Sequence, residues 1–101
     1  MRTIMLGAFN GLTKLTRLFK TGNEISEIIP GSFENMNSLE ILALLGNRLE
    51  HLDSDVFSGL FNLKHIYLSS NKLQYLHPDT FLSLPNLQNL YLNNNTELAV
   101  P

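Results

Sequence analysis

Aliphatic residues recur along this chain in a frame of 24 residues. Leu15-x-x-Leu18, Leu39-x-x-Leu42-x-Leu44, Leu63-x-x-Ile66-x-Leu68 and Leu87-x-x-Leu90-x-Leu92 are copies of one segment. Its alternating apolar positions predict a short strand with one buried face. An asparagine follows each copy at one offset: Asn23, Asn47, Asn71 and Asn95. Further apolar columns complete each turn. They are Ile25, Leu49 and Leu73; then Ile28, Leu52, Leu76 and Val100; then Phe9, Phe33, Phe57 and Phe81; then Leu12, Met36, Leu60 and Leu84. Self-similarity at this period predicts a solenoid, each turn burying its apolar face only against its neighbours. Parallel strands would stack about 4.8 Å apart. Each asparagine, with donors and an acceptor, would satisfy backbone groups where the chain bends out of the strand.

The frame resembles the leucine-rich repeat family in its 24-residue extracellular form, and the resemblance spans nearly the whole chain. Asn71-Lys-Leu-Gln-Tyr-Leu-His-Pro-Asp-Thr-Phe81 and Leu87-x-x-Leu-Tyr-Leu-Asn-Asn-Asn95 look most like repeats of Toll-type receptors and Slit-like ectodomains. The resemblance implies an α/β leucine-rich repeat solenoid. A short parallel β-sheet would line the concave side, with loops and short helical turns on the convex side. One array is expected over 1–101, with a partial repeat at 1–14, repeats at 15–38, 39–62 and 63–86, and a partial repeat at 87–101. The repeats at 39–62 and 63–86 match the frame best. Lys20 stands where Leu44, Leu68 and Leu92 point inward, and its ammonium must reach water along its stem. Glu97 stands where Ile25, Leu49 and Leu73 stand, so Leu98 is expected to turn inward instead.

A chain of 101 residues holds one domain at most. The formal net charge of −2, with both signs scattered, argues against a nucleic-acid partner. No apolar run approaches the ~18 residues of a spanning helix, so membrane insertion by this segment is not expected. The opening Met1–Phe9 is too short for a signal peptide, and Met1 and Ile4 are in register with Ile25 and Ile28. There is no cysteine. Extracellular members of the family close their ends with disulfide-bonded caps, as the resemblance implies. The chain is therefore expected to be an uncapped internal slice of a larger ectodomain, the alternative being an intracellular or engineered array. Its expected location, by resemblance, is extracellular or in the ectodomain of a membrane receptor.

Function in a solenoid lies on the surface its repeats present. Between the inward leucines, one outward column reads Arg17, Ile41, His65, Asn89 and the next Phe19, Ala43, Tyr67, Tyr91. Two more read Thr21, Leu45, Ser69, Asn93 and Gly22, Gly46, Ser70, Asn94. Arg17, Phe19, Ile41, Leu45, His65, Tyr67, Asn89 and Tyr91 form the candidate partner-binding surface, an apolar and aromatic patch with a polar rim. The bland alternative is that strands favour such residues anyway and that the tyrosines stack on each other. The expected ligand is a protein, in innate immune recognition or cell adhesion. The rival reading is a scaffold that self-associates through uncapped ends.

Other chemistry is thin. His51, Asp53 and Asp55 alternate around the inward Leu52 as a polar turn would, and no metal is expected there. His65 has no serine, cysteine or carboxylate placed to pair with it, so no enzyme and no cofactor are expected. Asn94-Asn95-Thr96 is an N-glycosylation sequon, with Asn94 as acceptor at the concave rim.

Overall fold

The computed structural model of the chain describes residues 2–22 and 24–98. β2 (Arg17–Phe19), β4 (Ile41–Ala43), β6 (His65–Tyr67) and β8 (Asn89–Tyr91) form one parallel sheet in the order β2-β4-β6-β8. Leu18, Leu42, Ile66 and Leu90 lie in register across it, so the 24-residue frame becomes one turn of solenoid. The ladder runs on past the strands: the N–H groups of Lys20, Leu44 and Leu68 donate to Ala43, Tyr67 and Tyr91 in the next turn, each at 2.9 Å.

The chain leaves each strand through one left-handed residue. Gly22, Gly46, Ser70 and Asn94 have φ of 68°, 74°, 57° and 60°. At Gly46 a Cβ would also lie 3.3 Å from the Gly22 nitrogen, so close stacking as well as φ favours glycine there. Ser70 and Asn94 take the same conformation with a side chain attached.

Among the described residues, the opposite side of the coil holds loops and one 3-10 turn, Pro78–Phe81, with proline at its start. It also holds short strands that the frame did not predict. β1 (Thr3–Ile4) pairs with β3 (Glu27–Ile28), and β5 (His51–Leu52) with β7 (Tyr75–Leu76), both parallel. They arise because Ile4, Ile28, Leu52 and Leu76 must all point inward at one height, which brings neighbouring backbones within pairing distance.

Two interior columns hold the turns together. The rings of Phe9, Phe33, Phe57 and Phe81 stack at centroid distances of 5.6, 6.1 and 6.1 Å, and Phe33 and Phe57 are fully buried. Asn47 accepts from Ile25 N–H (3.2 Å) and donates to the carbonyls of Lys20 and Leu44 (2.8 Å each). Asn71 accepts from Leu49 N–H (3.1 Å) and donates to Leu44 and Leu68 (3.0 Å each). Asn95 accepts from Leu73 N–H (3.2 Å) and donates to Leu68 (3.0 Å) and Leu92 (2.8 Å). Each amide thus ties two turns and neutralises backbone groups that would be costly to bury alone. Asn23, the first of the series, lies outside the described residues, as do Met1 and Val100.

A lesser amide series, absent from the frame as read, works on the approach to the strands. Asn62 donates to the Asn37 carbonyl and Asn86 to that of Phe61, again one turn back. The irregular positions behave as their chemistry requires. Lys20 is only half-buried. Glu97 is exposed, while Leu98 packs against the core.

Candidate interaction surface

The outward columns of the sheet follow from strand alternation. With Leu18, Leu42, Ile66 and Leu90 inward, the flanking residues project to the other face. Pairing puts Arg17, Ile41, His65 and Asn89 in one row, and Phe19, Ala43, Tyr67 and Tyr91 in the next. Pairing therefore puts seven of the eight candidate contact residues on one surface, and Leu45 follows Ala43 by two residues, just beyond β4. Phe19 is 58% exposed, Tyr91 39% and Leu45 36%, where the inward residues Leu42, Leu44, Ile66 and Leu68 are 0% exposed. Arg17 and Asn89 are exposed; Ile41, His65 and Tyr67 are half-buried.

The surface divides into two chemistries. On the β6–β8 side the side chains engage each other. The Tyr67 and Tyr91 rings stack at 4.5 Å and 3°, which is the cross-strand pairing weighed above. His65 Nδ1 and Asn89 Nδ2 lie 3.0 Å apart, and the Ser69 hydroxyl donates to Asn93 Oδ1. Stacking leaves Tyr91 exposed and Tyr67 half-buried. On the β2–β4 side the surface is apolar and less tied down. Phe19 is the register partner of Ala43, which is 1% exposed, and Ile41 and Leu45 lie two residues to either side of it in the chain. Arg17 makes no ion pair among the described residues.

Beyond the eight, the strand-entry rim contributes Glu40 and Lys64, joined at 3.3 Å. Ser69 and Asn93 stand at the other edge of the columns. The signal for both pairs was present as residues 24 apart, but a spacing alone does not say that two side chains meet.

The remaining candidates are placed as follows. His51, Asp53 and Asp55 are exposed, and no three His, Asp or Glu side chains among the described residues converge as a metal-holding group. His77 instead accepts from the N–H of Asp79 at the start of the 3-10 turn. His65 faces Asn89, an amide that cannot act as a nucleophile. Asn94 is exposed at its left-handed bend, with Asn95 buried in the amide ladder and Thr96 exposed. No helix among the described residues is long and apolar enough to cross a membrane.

Comparison with known proteins agrees with this geometry. A family model described as leucine rich repeat matches residues 2–49 and 38–96. No curated protein matches the chain.

Proposed function

The chain belongs to the leucine-rich repeat family, and from that premise we propose that the open face of its four-stranded sheet binds a protein ligand within a receptor-like ectodomain. Arrays of this family are generally protein-binding, non-enzymatic modules. One observation carries the placement on the sheet. Phe19, Leu45 and Tyr91 are exposed along one parallel ladder whose inward residues Leu42, Leu44, Ile66 and Leu68 are 0% exposed, while Met5, Leu6, Leu12, Phe61, Tyr75 and Leu82 are exposed off that sheet. Aromatic and aliphatic groups fixed in this way lose little freedom on binding and are favoured contact anchors.

The receptor setting, in innate immune recognition or adhesion, rests on resemblance to Toll-type and Slit-like repeats. It carries the extracellular location with it. Asn94 gives that location a direct test. Secreted from a eukaryotic cell, the array should carry an N-glycan that Asn94→Gln and Thr96→Ala both remove. Unmodified secreted protein would argue against the sequon's use.

The ligand reading is tested by capturing extracellular proteins on the intact array and on a Phe19→Ala, Tyr67→Ala, Tyr91→Ala variant, changed on both halves of the sheet. Affinity for a captured protein should fall with the variant by about 1–3 kcal/mol per anchor. Unchanged affinity would remove this face from consideration.

A second reading, self-association, is favoured by the edge at β8. Leu90 and Leu92 there are half-buried, whereas Ile66 and Leu68 one turn earlier are 0% exposed. β8 pairs only with β6 among the described strands. Where such an edge is left uncovered in the isolated array, it invites another chain. Sedimentation across micromolar concentrations separates the readings. A dimer or longer assembly, insensitive to the tyrosine changes, would support association through the edge.

A further inference from the structure

Charge is sorted between the sheet and the rest of the molecule. Of the nine carboxylates, only Glu40 lies in the strand segments 16–22, 40–46, 64–70 and 88–94. Those segments also hold Arg17, Lys20 and Lys64, a formal surplus of two positive charges. The remaining residues carry Arg2, Lys14, Arg48 and Lys72 against the other eight acids, a formal −4, and the two together give the chain's −2. Glu40 is already engaged by Lys64 at 3.3 Å, so the one acid of the sheet is matched. Arg17 is exposed and makes no ion pair among the described residues. It lies in the strand row beside Ile41 and two residues from Phe19.

Resting on the reading that the sheet face is the ligand surface, we propose that its occupant is an acidic, apolar peptide segment, seated on the β2–β4 half. An aromatic or aliphatic side chain of the ligand meets Phe19, Ile41 and Leu45. A ligand carboxylate meets the Arg17 guanidinium, which offers a planar, two-pronged donor set for it. A basic segment with the same apolar groups is rejected there, because Arg17 repels it and the sheet's one acid, Glu40, is already held by Lys64. The β6–β8 half is less suited to supply the charge contact. Its polar side chains are spent on each other, as His65 with Asn89 and Ser69 with Asn93. The acid-rich remainder of the array also steers an acidic ligand toward the sheet, since repulsion elsewhere leaves this face as its approach of lowest energy.

The test uses two short synthetic peptides of one length, each with the same two phenylalanines. The other polar positions are all aspartate in one and all lysine in the other. Binding is followed on the array by backbone amide resonances at low and raised salt. The aspartate peptide should bind about tenfold or more tighter at low salt, with perturbations centred on 17–19 and 41–45. Raised salt should narrow the gap. Arg17→Glu should invert the preference, and Arg17→Gln should erase most of it. Equal binding of the two peptides, or tighter binding of the lysine peptide at the same residues, overturns the charge inference while leaving the sheet face as a ligand surface. Perturbations confined to other surfaces, or no binding by either peptide, overturn it too. The capture comparison with the Phe19→Ala, Tyr67→Ala, Tyr91→Ala variant, changed on both halves of the sheet, then decides the sheet-face reading on its own.

Discussion

Asn47, Asn71 and Asn95 make the same set of bonds in three successive turns, whereas the outward row Arg17, Ile41, His65 and Asn89 repeats the position and none of the chemistry. Both series run through the same ladder at the same spacing. The difference is what each side chain must satisfy. An interior amide meets backbone N–H and C=O groups, which are identical in every turn, so one residue type solves every copy. An outward side chain meets water and, when bound, a partner. Repetition therefore reports burial, and its loss on the sheet face marks the place where the molecule is free to specialise.

That contrast breaks first at the phenylalanine column. Phe57 is fully buried between Phe33 and Phe81. Phe57→Ala should cost about 3–5 kcal/mol through the cavity it leaves, the largest effect of any single change considered. An unchanged melting curve would show that the interior register is misassigned.

The amide ladder should come next. Asn71→Ala orphans the Leu49 N–H and takes one of two amide donors from each of the Leu44 and Leu68 carbonyls, which keep Asn47 and Asn95, at about 1–3 kcal/mol. Asn10 is exposed and outside the ladder, and Asn10→Ala should cost far less. Equal denaturant midpoints for the two variants would erase the distinction between interior and exposed asparagines.

On the sheet face, stability effects should be smaller. A double-mutant cycle on Tyr67 and Tyr91 should give a coupling of about 0.5–1.5 kcal/mol, the value of one stacked pair. A coupling as large as the Asn71 effect would make the tyrosines part of the framework rather than of the surface.

The smallest changes should be gains. Thr80 is 0% exposed and its hydroxyl has no hydrogen-bond partner among the described residues, while Val56 fills the equivalent place one turn earlier. Thr80→Val should stabilise by about 1 kcal/mol by removing an unsatisfied buried oxygen. Ser70→Gly should add a few tenths up to about 1 kcal/mol, because Ser70 holds φ of 57° where Gly22 and Gly46 stand in other turns. Destabilisation by either change, measured by thermal melts, would mean that the turn-to-turn equivalence fails at that column.

Particular residues show how far the chain could be read before folding. Lys20 stays half-buried and Leu98 replaces Glu97 against the core, as the frame implied. The outward rows were legible too, because strand alternation leaves no other side for them. The outer pairs β1–β3 and β5–β7 were not legible, since two-residue strands have no period to detect. Nor was the pairing of Ser69 with Asn93, or of Glu40 with Lys64.

The sequence by itself determined the solenoid, its register and the identity of its interior columns, because those are set by residues that must match their own copies one turn away. Tertiary structure alone decided which outward side chains are already taken and which are left open. Tyr67 stacks on Tyr91 and Glu40 is held by Lys64, while Arg17 and Phe19 remain exposed. The physical reason is that a side chain's availability depends on rotamers, reach and neighbours in three dimensions. A 24-residue spacing states only that two residues share a row.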